Sequence, residues 1–190
     1  PHQQSGKQIF SAFIRDITDR KQREQVVWLH ANFDALTGLP NRRLLVNRLE
    51  LAITQAIANE TEVALLFIDL DRFKPVNDVY GHAVGDELLR LVAFRLQSVL
   101  REGDTVARLG GDEFIALLPG LKANDPLPRQ TAEKISNALT QSFLIHEHVI
   151  TISGSIGIAL FPHDAADADT LLNSADKAMY SSKKATPRER

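Results

Sequence analysis

The stretch Val63-Ala64-Leu65-Leu66-Phe67-Ile68 is a continuous apolar run stopped abruptly by Asp69. A run of this length with no polar alternation describes a strand covered on both faces, so it belongs in the middle of a fold. It is far too short to span a bilayer, and the chain carries no signal-peptide pattern. Asp69 therefore stands at the mouth of a buried strand, where an acid is costly and where α/β-type folds place ligands.

The material to cover this strand lies on either side of it. A charged stretch from Asp19 to about Ala35, with Val26, Val27, Leu29 and Phe33 on its apolar side, predicts a connecting helix. The turn Thr37-Gly38-Leu39-Pro40-Asn41 separates it from a helix over about Arg42 to Ala58. Beyond Asp69 a polar loop leads to an amphipathic helix, about Val84 to Leu100, with Leu88, Leu89, Val92, Leu96 and Val99 on one side. Thr105 to Leu109 and Phe114 to Leu118 flank Gly110-Gly111, a hairpin signal. A loop punctuated by Pro119, Pro126 and Pro128 precedes a helix carrying Ala132, Ile135, Leu139 and Phe143. A strand pair around Val149 to Phe161 and a last helix from about Thr170 to Lys184 complete the pattern. Hairpins among helices predict an α+β fold, with a central, mainly antiparallel sheet surrounded by helices.

Length and charge narrow the function. The 190 residues, 44% of them hydrophobic, suit one principal domain plus an appendage. A net charge of −2 lacks the basic surplus of a nucleic-acid binder. A small phosphorylated ligand stays open, because a few backbone amides and one lysine can hold a triphosphate. The absence of cysteine excludes disulfides, thiolate nucleophiles and cysteine-ligated metals. The chain begins with Pro1 in mid-pattern, which predicts a piece of a longer protein.

Acidic side chains recur where the backbone can approach a ligand. Asp112 and Glu113 follow the glycine pair at the hairpin tip. If that hairpin lies beside the apolar strand, Asp69 and Asp112 converge, and hard oxygen ligands of this kind suit Mg²⁺. Between Asp69 and the next helix run Arg72, Phe73 and Lys74, in a polar segment entering a helix that can offer N–H groups to phosphates. No Walker-type glycine loop is present. Asn77, His82 and Asp86 follow; a carboxylate such as Asp86 can accept from the N1–H and the exocyclic amine of guanine together, a pair that adenine lacks.

Asp34-Ala35-Leu36-Thr37-Gly38-Leu39-Pro40-Asn41-Arg42-Arg43, Asp69-Leu70-Asp71-Arg72-Phe73-Lys74, Asn77-Asp78, Gly81-His82, Gly85-Asp86 and Arg108-Leu109-Gly110-Gly111-Asp112-Glu113-Phe114 occur in this order. Over roughly Ala31 to Lys184 the chain resembles the GGDEF domain, the catalytic domain of diguanylate cyclases. The resemblance implies a nucleotidyl cyclase and polymerase palm-like fold that condenses two GTP into cyclic di-GMP with release of pyrophosphate. It implies magnesium, or manganese in its stead, on Asp69, the Leu70 carbonyl and Asp112, with Asp112 as base for the attacking hydroxyl. It implies guanine held by Asn77 and Asp86, His82 beside the substrate, and phosphates on the backbone of Arg72, Phe73 and Lys74 and on Lys183. The family's second basic phosphate contact has no clear match, and Arg188 is its nearest substitute.

The resemblance carries control elements as well. Arg101 and Asp104 match the family's product-inhibition site for cyclic di-GMP, and arginine is suited to guanine O6 and N7. One domain holds one GTP, which implies a homodimer for activity. The stretch from Phe13 to Lys21 resembles the last strand of a PAS sensor domain and its exit linker. The expected division is 1–18 as the PAS-like end, 19–35 as a helical linker and 36–185 as the catalytic domain. The expected setting is cytoplasmic, with no membrane contact from this segment and any anchor elsewhere in the full-length protein. The alternative reading is a non-catalytic module that binds GTP or cyclic di-GMP and regulates a neighbouring phosphodiesterase domain.

Overall fold

The computed structural model describes residues 18–185. The apolar run lies at its centre within strand β1, Glu62–Asp71, which is buried from Glu62 through Ile68. It pairs on one side with β3 (Glu113–Leu121) and on the other with β6 (Ser153–Phe161). Strand β2 (Thr105–Gly110) adds to β3, giving the order β2-β3-β1-β6 with every pairing antiparallel. The expectation of an α+β fold around a mainly antiparallel sheet holds.

Side chains alternate along a strand, so β1 feeds two separate cores. Ala64, Leu66, Ile68 and Leu70 join Leu88, Val92 and Leu96 of α4 (His82–Val99) and Ile135 and Leu139 of α5 (Leu127–Thr140). Val63, Leu65 and Phe67 join Leu45, Leu49 and Ile53 of α2 (Arg42–Asn59) and Leu171, Ala175 and Met179 of α6 (Ala168–Ala185). The same alternation carries Asp69 and Asp71 onto the α2–α6 side, where that core ends. Helix α6 lies directly on the sheet, since a Cβ built on Gly157 of β6 would sit 2.0 Å from the Met179 nitrogen.

Three local expectations change. The polar segment after Asp71 is a helix, α3 (Phe73–Tyr80), rather than a loop. Proline is tolerated in a first helical turn, where Pro75 stands, and Phe73 and Val76 bury one face. The strand pair around Val149 to Phe161 is also resolved differently: β5 (His148–Ile150) pairs with β4 (Phe143–Ile145) in a separate hairpin, while β6 pairs with β1. Finally, Phe143 belongs to β4, because α5 ends at Thr140.

Arg95 of α4 explains that last ending. Its guanidinium donates to the carbonyls of Ala138, Gln141 and Ser142 at 2.8, 2.7 and 3.1 Å and lies 3.5 Å over the Phe143 ring. Carbonyls at a helix C-terminus lack intrahelical donors, and a cation there is favourable. Arg95→Ala is expected to lower stability by about 2 kcal/mol, read from the denaturation midpoint in urea.

Helix α1 (Thr18–Asn32) leads into the domain, and Asn41 ties it to α2: its amide donates to the Ala31 carbonyl, and its oxygen caps α2 at the Leu44 N–H. The PAS-like stretch, apart from residues 18–21, and Arg188 lie outside the described residues. Among the described residues no helix is long and apolar enough to cross a membrane.

Candidate active site

The C-terminal end of β1, the tip of the β2–β3 hairpin, the start of β6 and the last turn of α6 meet at one edge of the sheet. Asp69 lies opposite Glu113 in the ladder, and the Leu70 N–H donates to the Asp112 carbonyl at 3.2 Å. The two-residue turn at 111–112 therefore sits against the strand end, helped by a register slip between Arg108 and Gly110 that bends the hairpin. Burial first, then the Asp69 charge, push the Asp112 carboxyl above its ordinary range, against the pull of its own N–H, Lys183 and Arg108. Glu113 is raised likewise, by burial and then by Asp69, Asp112 and Asp176, with Arg42 opposing. The expected convergence of Asp69 and Asp112 is thus present.

Lys183, in the last turn of α6, reaches across 114 residues of sequence to Asp69, with Nζ 2.5 Å from Oδ1. Burial works against the ammonium, but the Asp69 hydrogen bond and the charges of Asp69, Asp71 and Asp112 hold its pKa above the ordinary lysine value. The two aspartates of β1 have different partners. Asp71 accepts from the hydroxyls of Ser153 and Ser155, each at 2.8 Å, which commits it to β6. Sequence reasoning missed these serines; their signal was a spacing of two, which puts both on one face of a strand.

On the other side of β1, Arg72 adopts a left-handed conformation, with φ 60° and ψ 26°, and turns the chain into α3. The first-turn N–H groups of Phe73 and Lys74 have no acceptor within the helix. Phe73 buries its ring, so only its backbone faces the site. Asn77, half-buried on α3, packs its amide against α4 at Gly85, where a Cβ would fall 1.9 Å from Oδ1. Asp86 follows Gly85 and His82 opens α4, both exposed. These residues lie on α3 and at the start of α4, which follow the end of β1 in the chain.

Arg108 has a role that the sequence left unassigned. Its Nε and Nη2 donate to the Gly111 carbonyl at 3.1 and 2.7 Å, and its Nη1 to Asp34 Oδ1 at 2.9 Å. Asp34 in turn accepts from the Thr37 N–H at 2.9 Å and hydroxyl at 2.6 Å. The hairpin tip is thereby braced from behind against the turn that precedes α2. Both partners occur in the recognised motifs, but no local pattern pairs residues 74 positions apart.

Arg101 and Asp104 lie elsewhere, at the opposite end of β2, about 20 Å from the tip at ~3.3 Å per residue. They pair with each other, Nε to Oδ1 at 2.9 Å, and Arg101 also donates to the Pro119 carbonyl at 2.9 Å. No cluster of three or more His, Asp or Glu side chains surrounds one point among the described residues. The available donors are the carboxylates of Asp69 and Asp112 and the adjoining Leu70 backbone. An all-oxygen set completed by water and phosphate fits Mg²⁺ or Mn²⁺, and the Lys183 ammonium on Asp69 shows that the position accepts a cation.

The family model for the diguanylate cyclase GGDEF domain matches residues 31–189. Among curated proteins, the chain is 50% identical over 151 residues to the bifunctional diguanylate cyclase/cyclic di-GMP phosphodiesterase MucR of Pseudomonas aeruginosa, covering 79% of this chain and 22% of MucR. Among solved structures, the GGDEF domain of TpbB (YfiN) from the same species matches with TM-score 0.77 and 42% identity, over 81% of this chain and 90% of that one. The coiled coil and GGDEF domain of DgcB from Caulobacter crescentus, solved with c-di-GMP, matches with TM-score 0.79 and 27% identity, over 88% of each chain. The chain spans between 21% and 41% of the length of the first curated relatives it matches.

Proposed function

The chain belongs to the GGDEF family of diguanylate cyclases, and on that premise we propose that it condenses two GTP molecules into cyclic di-GMP. The observation that carries this reading is the hairpin tip held against the end of β1, where burial and the Asp69 charge raise the Asp112 carboxyl.

In this reading guanine sits against Asn77 and Asp86 with His82 at the rim, and the triphosphate lies along the first turn of α3. The N–H groups of Phe73 and Lys74, next to the left-handed Arg72, face its oxygens, and Lys183 supplies the cationic contact. Asp69, Asp112 and the Leu70 carbonyl would hold Mg²⁺ or Mn²⁺, which when bound would acidify the attacking hydroxyl and neutralise phosphate charge. The 3′-hydroxyl of one GTP attacks the α-phosphorus of the other, Asp112 receives the proton, and pyrophosphate leaves. A second, reciprocal attack closes the ring and expels the second pyrophosphate. Because each chain holds one GTP, two copies face each other in a homodimer.

Residues 1–18 form the end of a PAS-like sensor, 19–35 a linker and 36–185 the catalytic domain, in a protein acting in the cytoplasm. Cyclic di-GMP also inhibits, through Arg101 and Asp104. Its guanine competes for the Arg101 guanidinium, the exposed member of the Arg101–Asp104 ion pair. Arg101→Ala is expected to raise the half-inhibitory product concentration at least tenfold, on the order of one guanine bidentate contact. An unchanged inhibition curve removes Arg101 from that role.

The test of the main reading is incubation with GTP and Mg²⁺ at several protein concentrations, with products separated by chromatography. Cyclic di-GMP forming with more than first-order dependence on protein is the expected result. GTP binding without product, persisting after fusion to a dimeric coiled coil, replaces catalysis by a binding role.

A further inference from the structure

Lys183 is claimed from two directions. As the phosphate contact it belongs to the nucleotide, yet its ammonium lies 2.5 Å from Oδ1 of Asp69, a carboxylate assigned to the divalent cation. An oxygen engaged by an ammonium at that distance has no room for a metal ion on the same side, so the two cations compete for Asp69. Asp112 also acts on the lysine by its charge, while two other charged neighbours have partners of their own. Asp71 is held by the hydroxyls of Ser153 and Ser155, and the guanidinium of Arg108 by Gly111 and Asp34. The pair is also lopsided in a useful way: the lysine side chain is 43% exposed and the aspartate 14%. An ammonium so exposed leaves at little cost, because water replaces its partner, whereas the sheltered carboxylate needs a cation beside it.

We propose that Lys183 is an exchangeable counter-ion of Asp69, displaced when a divalent cation binds and thereby delivered to the nucleotide phosphates. The inference rests on the reading of Asp69 as a metal ligand. Its consequence is a coupling between two ligands. Metal binding frees the lysine for the triphosphate, and triphosphate binding draws the lysine off the carboxylate and opens it to metal. By linkage each ligand strengthens the other, in addition to any direct contact between them. The chemistry is an exchange of cations, with no bond made or broken. Lys183 is suited to it by position, in the last turn of α6, where a long side chain pivots without moving the helix.

The experiment is Mn²⁺ binding without nucleotide, read as the loss of the free-ion paramagnetic resonance signal, for the wild type, Lys183→Met and Asp69→Asn. Lys183→Met is expected to bind Mn²⁺ about fivefold more tightly than the wild type, the scale of one partly exposed ion pair, and Asp69→Asn to lose the site. In chelator, GTP affinity is expected to rise several-fold in Asp69→Asn. That gain should be smaller when Asp69→Asn is added to Lys183→Met, and the difference between the two gains cancels the bare loss of an acid. Equal or weaker Mn²⁺ binding by Lys183→Met, with binding still dependent on Asp69, overturns the exchange and leaves the metal assignment standing. Saturation in neither protein, or saturation indifferent to Asp69, overturns both. Lys183→Gln serves as a second variant, and unchanged thermal melts show that each protein is folded.

Discussion

Asp112→Asn is expected to lower turnover of GTP by about 10³-fold or more while leaving the melting temperature unchanged or slightly higher. The two halves of this expectation come from one local fact. The carboxyl is partly buried beside Asp69, and both influences push its pKa upward. An acid that binds its proton more tightly folded than unfolded weakens the fold when it ionises, so stability at neutral pH gains when the charge is removed. Asparagine keeps the shape of the hairpin tip and the backbone carbonyl that accepts from Leu70. What it loses is the anionic oxygen that, in the proposed reaction, receives a proton and holds a cation. Turnover by chromatography and melting by circular dichroism check the two halves separately. Loss of activity together with a large fall in stability would make Asp112 a structural residue. Activity within tenfold of the wild type would remove it from the reaction.

The sequence was most legible where one residue type at one position has one physical explanation. An unbroken apolar run requires a doubly covered strand, and β1 is that strand. The glycine pair requires a tight turn between two apolar segments, and the β2–β3 hairpin follows, with Asp112 at its tip. The motif order identified the family, and with it the sheet. What stayed hidden depends on contacts remote in sequence. The polar side chains of the segment after Asp71 concealed α3, whose eight residues bury only Phe73 and Val76. Leu144 and Val149, exposed residues facing each other in β4–β5, read equally well as part of a longer strand pair. The brace from Arg108 to Asp34, the serine clasp on Asp71 and the lysine on Asp69 each join distant segments. Local propensity and periodicity carry no information about such pairs. The residues of the candidate site were therefore nameable from sequence, while their mutual engagement was not.

That engagement depends on how closely α6 lies on the sheet, and Gly157→Ala is expected to break it. A Cβ at this position falls 2.0 Å from the Met179 nitrogen and 2.3 Å from the Ala175 carbonyl oxygen, both backbone atoms of α6. Backbone does not step aside as a side-chain tip does, so the helix itself must lift. Overpacking of this kind typically costs about 1–3 kcal/mol, and a clash with main chain belongs at or above the upper end. Gly154→Ala in the same strand provides the contrast. Its Cβ meets the end of the Leu139 side chain at 2.7 Å, where a change of rotamer gives relief at a smaller cost. The lifted helix carries Lys183 with it, four residues beyond Met179 and one turn along α6. Gly157→Ala should therefore lose stability and also, in the folded fraction, the reach of Lys183 to the site and so to the nucleotide phosphates. GTP affinity should fall by more than tenfold, on the scale of one charge-assisted phosphate contact. Denaturation in urea measures the first effect, and calorimetric GTP binding at a temperature where the variant is folded measures the second. A variant that is destabilised yet binds GTP like the wild type would show that the lysine reaches its partner whatever the height of the helix.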